Sequence, residues 1–461
     1  MECSLQFFGA ARQVTGSRHL LTVGTKRVLL DCGMVQGPRQ TANKLNTNLQ
    51  FDAESIDAVV LSHGHVDHSG SIPRLVKLGY RGPIYCTHAT RDLLGILLPD
   101  SAHIQDSDAR YLRKRGKYFL PPYEMKDVEA SLELIQSVGY DESFEVTDGV
   151  RSTFLEAGHI IGSAQVIVDV NGGERGLRIG FTGDLGRCGL PILRDPAPLP
   201  ECDVVITEST YGNRLHPDRD AVVKELRETL LGLADRGGRI LIPSFSVGRT
   251  QEVLWFLGQL IRDGDIPPQE IFIDSPLSNK ATQIVNKHKD LYDEEARALI
   301  DAGHNPFYFP GVRAVTEVEE SKALNDRKTG IIISASGMCE GGRILHHLEQ
   351  SLARPEDLIL IVGFQAQGTL GRRLLEGYDA VRIFGELHDV RCSVRHINGL
   401  SAHADRTGLL EHLEGNLGSC EQLFVVHGEE DATAQLAARL RRKGFENVEV
   451  PVYRQRFELR I

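Results

Sequence analysis

No stretch of this 461-residue chain holds an apolar run long enough to span a bilayer, which argues against a membrane-spanning helix. The first residues, MECSLQFFGAARQVTG, lack the basic stretch and following apolar segment of a secretory signal. The expected compartment is therefore cytoplasmic. The eight cysteines contain no C-x-x-C pair, so they suggest neither a thiolate zinc site nor a disulfide framework. Small buried hydrophobes in a reducing compartment are what they most resemble. Internal repeats, low-complexity tracts and long linkers are missing as well. So is any excess of positive charge: 52 Lys and Arg stand against 63 Asp and Glu, a formal net charge of −11. That excludes a protein that coats nucleic acid nonspecifically. It leaves room for an enzyme acting on nucleic acid, because Asp- and His-rich metal sites count as negative until a cation reverses the local field. One local exception, Arg110, Arg113, Lys114, Arg115 and Lys117, reads as a solvated helix face or a phosphate contact.

What is present is the composition of a globular protein, 41% hydrophobic and 25% charged, with length for two or three domains. The first 200 residues alternate strand patterns and glycine turns. RHLLTV and KRVLLDCG read as a hairpin, and IDAVVLSH as an apolar strand running into a histidine-rich loop. Helical patterns follow over 69–79 and 88–134. Strands return in STFLEAGH, AQVIVDV, LRIGFTGD and CDVVITEST. From about residue 210 the pattern becomes strand–helix repetition, which predicts a mostly parallel sheet with helices on its faces. From about 391 a strand, a helix, the strand QLFVVHGEE and a final helix and strand close the chain.

The strongest chemical signal is His63-Gly64-His65-Val66-Asp67-His68, an H-x-H-x-D-H cluster just after a strand. Four metal-competent side chains within six positions cannot enter an apolar core without partners. In an extended loop alternate residues point the same way, so His63 and His65 can face one ion while Asp67 and His68 turn toward another. Imidazole and carboxylate donors suit zinc, and also manganese or iron. His159 in AGHIIGSA, Asp184 in FTGDLG and His427 in VVHGE each follow a strand pattern beside a glycine. Singly, each is an ordinary polar strand cap. Together they read as loops converging at one edge of a sheet.

Asp31, the 63–68 cluster, His159 and Asp184 resemble the first four motifs of the metallo-β-lactamase superfamily. Glu208 in ESTYG, His403 in SAHAD and His427 in VVHGE resemble motifs A, B and C of its β-CASP branch. The phrases GAARQVTGS, PSFSVGRTQE, SASGM and GFQAQGTLGRRL fit the same branch, so the resemblance covers nearly the whole chain. The chain is similar to the nuclease subunit of the cleavage and polyadenylation machinery and to its stand-alone bacterial and archaeal relatives.

The resemblance implies an α/β fold: an αββα sandwich built from 1–208 and 391–461, with a β-CASP domain, 209–390, inserted as a cap. It implies a ribonuclease with two zinc ions per chain. His63, His65 and His159 would hold one ion, Asp67, His68 and His427 the other, and Asp184 would bridge them. Asp31 would orient the histidine loop. A hydroxide bridging the ions would attack phosphorus, and His403, held by Glu208, would protonate the leaving oxygen. The products would be 5′-phosphate and 3′-hydroxyl ends, from endonucleolytic cutting with 5′-to-3′ exonuclease activity as a second mode. Arg249, Ser336, Gly337 and Arg372 would contact substrate. The DNA-processing branch carries valine at the position of His427, which points this chain to RNA. The partner expected is RNA, with a homodimer as the protein partnership considered.

Three other readings compete. A thioesterase or lactonase of the superfamily would share the zinc cluster without needing Glu208 and His403. A flavodiiron protein would carry glutamate in place of His65. A catalytically silent RNA-processing partner would have lost ligands, and none of the seven positions is lost.

Overall fold

The computed structural model describes residues 2–460 except 38, 115, 117–118, 172–175 and 235–236. Arg115 and Lys117 of the basic cluster lie outside the described residues. The chain divides into two compact units: Met1–Cys188 with Asp195–Leu215 and His403–Ile461, and Gly189–Arg194 with His216–Ala402.

The first unit holds two seven-stranded sheets. One runs in the order Arg456–Leu459, Cys3–Phe7, His19–Val23, Lys26–Leu30, Ala58–Val60, Ile84–Thr87, Ile135–Val138. The other runs Val448–Glu449, Gln422–Val425, Val204–Thr207, Leu177–Phe181, Ala164–Val170, Val150–Glu156, Ser143–Thr147. Side-chain alternation along these strands explains the layering. Leu21, Val28 and Leu30 meet Val166, Val168, Phe181 and Phe424 in one core shared by both sheets. Their neighbours Leu20 and Leu29 face the other way, onto Ile72, Leu75, Leu94 and Leu98 of the covering helices. On the second sheet Ile167, Val205 and Leu423 likewise meet Leu409, Leu436 and Leu440. Strands apolar on both faces are what a sheet buried on both sides requires. The result is four layers, helix–sheet–sheet–helix.

The helical pattern expected over 88–134 is two helices, His88–Lys114 and Met125–Glu133. Pro121 and Pro122 stand between them; each lacks an N–H, and two in succession disfavour helix there, whereas the single Pro99 is accommodated inside the first helix. The second helix restarts at Glu124, whose N–H donates to Asp127 at 2.8 Å, half of a capping box. Arg110 of the basic cluster pairs with Asp106 at 2.7 Å on the exposed face.

The second unit is built on a six-stranded sheet, Val312–Ala314, Ile271–Ile273, Thr329–Ser334, Gly238–Pro243, Leu358–Ile361, Ser393–His396. Every pairing in it is parallel, as the strand–helix repetition predicted. Arg239 and Asp357 are fully buried beneath it. Asp357 accepts from the Arg239 backbone N–H at 2.9 Å and from Nε and Nη2 at 3.1 and 2.9 Å. The remaining guanidinium donors reach the carbonyls of Leu324 and Asn325 and the hydroxyl of Ser351. Among the described residues no helix is long and apolar enough to cross a membrane.

This ion pair gives a stability prediction. Asp357→Ala leaves a buried guanidinium uncompensated, which costs about 3–5 kcal/mol. Trp255, the sole tryptophan, is buried in this unit and reports its unfolding in urea by fluorescence. A midpoint equal to wild type would show that the pair does not carry the unit's stability.

Candidate metal centre

Nine of the site residues lie just past the C-terminal ends of six strands, where the sheets stop and loops begin. Asp31 follows Lys26–Leu30, and His63 to His68 follow Ala58–Val60. His159 follows Val150–Glu156, Asp184 follows Leu177–Phe181, Glu208 follows Val204–Thr207, and His427 follows Gln422–Val425. Asp67 and His68 lie on a four-residue helix, Val66–Ser69, and the His68 ring packs against that of His63 with centroids 4.1 Å apart. The loop that carries them is clamped by backbone bonds: Ser17 N donates to Asp67 O, Cys32 N to His68 O and Met34 N to Val66 O, at 2.8–2.9 Å. Gly33 makes this approach feasible, since a Cβ there would sit 1.6 Å from the Asp67 carbonyl oxygen.

Two groups of potential ligands result: His63, His65, His159 and Asp184, and Asp67, His68 and His427. In the first, His65 Nδ1 faces His63 Nε2 at 3.0 Å and His159 Nε2 at 3.2 Å. In the second, His68 Nε2 faces His427 Nε2 at 3.1 Å, and His427 Nε2 lies 3.4 Å from Asp67 Oδ2. Asp184 turns one oxygen to each group. Its Oδ2 is 3.6 and 3.5 Å from His63 and His159, and its Oδ1 is 3.3 Å from His68. That Oδ1 is buried without a hydrogen-bond partner among the described residues. Tetrahedral bonds of 2.0–2.1 Å put neighbouring donors roughly 3.3–3.4 Å apart. Ring nitrogens at this spacing, around an orphaned buried carboxylate oxygen, fit divalent metal better than they fit one another.

The hydrogen bonds behind these rings fix which nitrogen is bare. Asp31 is fully buried. Its Oδ1 accepts from Ser62 N at 2.8 Å, and its Oδ2 from the Ser17 and Ser62 hydroxyls, each at 3.0 Å. Its Oδ2 also lies 2.7 Å from His68 Nδ1. A carboxylate only accepts, so His68 Nδ1–H donates and Nε2 is the nitrogen turned toward the pocket. Ser62 has spent its proton on Asp31. It therefore accepts from His63 Nδ1–H at 3.1 Å, which bares His63 Nε2. Thr210 does the same on the far side: its hydroxyl donates to His427 O and accepts from His427 Nδ1–H, both at 3.1 Å. Asp31 and His427 have φ of 60° and 50°, a conformation costing of order 1–3 kcal/mol off glycine. These bonds, with His427 N donating to Ala10 O at 2.7 Å, hold it.

Charge follows the same division. Burial, aided by the neighbouring His68, holds His63 well below the usual imidazole range. Burial also brings His65 down to about 4, and holds His159 well below that range. All three are thus neutral, the form a metal requires. Burial opposes charge on His68 too, but Asp184 and Asp31 outweigh it and hold its proton. A cation at Nε2 would take that proton's place. Burial would raise the Asp184 carboxyl, and the adjacent His427, His68 and His403 hold it well below the carboxylate range instead.

Beside this pocket, His403 Nδ1 lies 3.1 Å from both oxygens of fully buried Glu208 and 4.0 Å from Asp184 Oδ2. Glu208 also accepts from Leu185 N at 2.7 Å and Thr210 N at 3.2 Å, so its orientation is set by the backbone. Burial alone would lower His403. The charges of Glu208 and Asp184 overcome it and push the imidazole up to about 9.

Of the four residues expected to touch substrate, Ser336, Gly337 and Arg249 gather in the second unit, past the ends of Thr329–Ser334 and Gly238–Pro243. Gly337 lies against the Phe245 ring, close enough that a Cβ would be 2.8 Å from it. The Ser336 hydroxyl accepts from Glu340 N and Gly341 N. Arg249 is buried and bound to Glu252 at 2.6 Å, which makes much of its charge structural. Arg372 lies on the helix Leu370–Leu375 and pairs with Glu376 at 2.7 Å. The residues that set the histidine tautomers, Ser17, Ser62 and Thr210, were not singled out from sequence. A serine directly before His63 and a threonine two residues after Glu208 were the available signals.

Three family models match the chain. The metallo-beta-lactamase superfamily covers residues 16–244, the Beta-Casp domain 250–374, and the Zn-dependent metallo-hydrolase RNA specificity domain 387–451. A protein of Thermus thermophilus named as a ribonuclease is 38% identical over 95% of this chain and 96% of its own. A transcription termination factor FttA of Methanothermobacter thermautotrophicus is 32% identical over 95% of this chain and 69% of its own. An RNase J-like protein of Methanocaldococcus jannaschii is 31% identical over 92% of each. A crystal structure of an Enterococcus faecalis protein of unknown function superposes with a TM-score of 0.54, covering 100% of both chains at 13% identity. That likeness concerns the fold alone.

The contact at Gly33 yields a direct test of how the ligands are held. Gly33→Ala drives a methyl group into the Asp67 carbonyl and must displace the ligand helix. The variant should keep its secondary structure by circular dichroism but lose divalent metal on dialysis. Full metal retention would mean that this close approach does not position Asp67 and His68.

Proposed function

Because this chain belongs to the Beta-Casp branch of the metallo-β-lactamase superfamily, we propose that it is a zinc-dependent ribonuclease that hydrolyses RNA phosphodiester bonds. The observation that carries the reading is the split of Asp184, one oxygen toward each of two ligand groups, with His403 on Glu208 at their edge. We assign two zinc ions per chain. His63, His65 and His159 serve one, Asp67, His68 and His427 the other, and Asp184 both. The relatives named as ribonucleases and the RNA specificity domain support RNA as the substrate. The second unit is then the inserted Beta-Casp domain, with Ser336, Gly337, Arg249 and Arg372 as its substrate-facing candidates. Cutting is endonucleolytic, with 5′-to-3′ exonuclease activity as a second mode.

Zinc, when bound, supplies positive charge for the phosphate oxygens and an activated water. The protein's own residues must do the rest. Asp31, through Ser62 and His68, keeps the ligand rings in the metal-binding tautomer. His403 gives its Nδ1–H to Glu208 and carries a second proton on Nε2, which it can pass to the departing 3′-oxygen. With the nucleophile drawn from water, the substrate's 2′-hydroxyl has no chemical task, and the ends are 5′-phosphate and 3′-hydroxyl.

The pH dependence tests the donor. The Glu208 charge beside it raises the His403 pKa and favours the protonated ring at neutral pH, so turnover falls on the alkaline side as that proton is lost. Glu208→Gln removes the first of the charges that raise it, so the alkaline limb should move to lower pH. His403→Ala should keep its zinc and lose about 10²–10⁴-fold in turnover. Loss of zinc in His403→Ala, or an unmoved alkaline limb in Glu208→Gln, would contradict the assignment.

The products test the reaction. An RNA with one 2′-deoxy residue at the scissile position should still be cut, and a circular RNA should be opened. Cyclic 2′,3′-phosphate ends, with the deoxy substrate resistant, would exclude the proposed chemistry.

A further inference from the structure

His19 opens the strand His19–Val23 and is fully buried. Its ring packs edge-on to Phe7 and Phe181, with centroids 5.1 and 5.4 Å away. Phe7, Leu21 and Phe181 beside it belong to the apolar core between the sheets. Burial brings its pKa down to about 3, so the ring is neutral. Its Nδ1 has no hydrogen-bond partner among the described residues. A polar ring with an idle nitrogen is a costly choice where a leucine would pack. Its other nitrogen explains the choice.

His19 Nε2 lies 3.3 Å from the Ser17 hydroxyl, and that hydroxyl lies 3.0 Å from Asp31 Oδ2. The directions of these bonds are determined. Asp31 only accepts, so Ser17 donates to it. Ser17 has one proton, so toward His19 it accepts, and His19 carries its proton on Nε2. The idle Nδ1 is therefore a bare lone pair, the less costly atom to leave unmatched. The chain His19 Nε2–H, Ser17 Oγ–H, Asp31 Oδ2 ends on His68 Nδ1–H at 2.7 Å.

We propose that His19 is a positioning residue for the metal held by Asp67, His68 and His427: it orients the Ser17 hydroxyl onto Asp31, and Asp31 in turn aims His68. This rests on the reading that those three residues hold an ion. Without His19 as donor, the Ser17 hydroxyl is free to rotate. Asp31, fully buried, then loses one of the bonds that hold its oxygen against His68. The effect should fall on the second ion. His65 and His159 of the first group have no bond to Asp31, and His63 reaches it only through Ser62.

The test is zinc release from the full-length, zinc-loaded protein into a chromogenic chelator, which resolves the two ions by affinity. His19→Phe keeps a ring between Phe7 and Phe181 but cannot donate. His19→Gln keeps a donor. Ser17→Ala breaks the same chain with a smaller change, should His19→Phe fail to fold. His19→Phe should weaken the second ion about tenfold, the lower end of what outer-shell partners of metal ligands contribute. It should leave the first ion unchanged. His19→Gln should restore most of the loss, Ser17→Ala should match it, and the double variant should lose no more than Ser17→Ala alone. Equal loosening of both ions, or failure of glutamine to restore, would mean that His19 merely supports the core and would overturn the proposal. Two tightly held ions in wild type with unchanged second-ion affinity in the variants would overturn this proposal alone. A wild-type chain holding no second ion would overturn it together with the reading it rests on.

Discussion

The two oxygens of Asp184 face opposite ways, and what the first unit does with its strand ends serves that arrangement. A buried carboxylate with an unpartnered oxygen, ringed by five imidazoles, is unstable as a set of neighbours. The rings cannot all donate to one another at about 3 Å, and the carboxylate cannot satisfy them all. Positive charge in the pocket resolves both problems at once. The site is therefore a structure that metal completes, and its binding energy would contribute to folding as well as to chemistry.

Reaching this arrangement requires the two sheets to bring their strand ends to one edge. Asp31, the histidine cluster and the Ser17 turn come from the first sheet, and His159, Asp184, Glu208 and His427 come from the second. The core between the sheets, from Leu5 and Phe7 to Val166 and Phe424, fixes their separation. Asp31 converts that backbone frame into ring orientation, because its four accepted bonds determine the tautomers of His63 and His68. Glu208 repeats the device: backbone N–H groups fix the carboxylate, and the carboxylate fixes His403.

Local patterns in the sequence carried much of this. The H-x-H-x-D-H spacing is legible because ligands at neighbouring positions need no knowledge of the fold. The parallel sheet of the second unit is legible because buried parallel strands read as unbroken apolar runs such as TGIIIS and LILI. That His159, Asp184 and His427 converge was readable from strand ends beside glycines, but which ligand group each joins was a family-level expectation, since contacts between residues 63 and 427 leave no local trace. The break at Pro121-Pro122 lies hidden within the 88–134 helical pattern because the amphipathic pattern resumes on its far side. Ser17, Ser62, Thr210 and His19 were invisible because a hydroxyl or buried imidazole acquires meaning only from the direction of its proton. Gly33 belongs with them: its requirement comes from a carbonyl 34 residues away in sequence.

The central claim is that Asp184 serves two metal ions and not one. Counting zinc per chain tests it most directly, by elemental analysis of the purified protein after zinc loading and removal of free metal. The account predicts two ions in the wild-type chain and one in His427→Ala, because that substitution removes a ligand from only one of the two groups. A wild-type chain that saturates at a single ion, or takes up none, would contradict it.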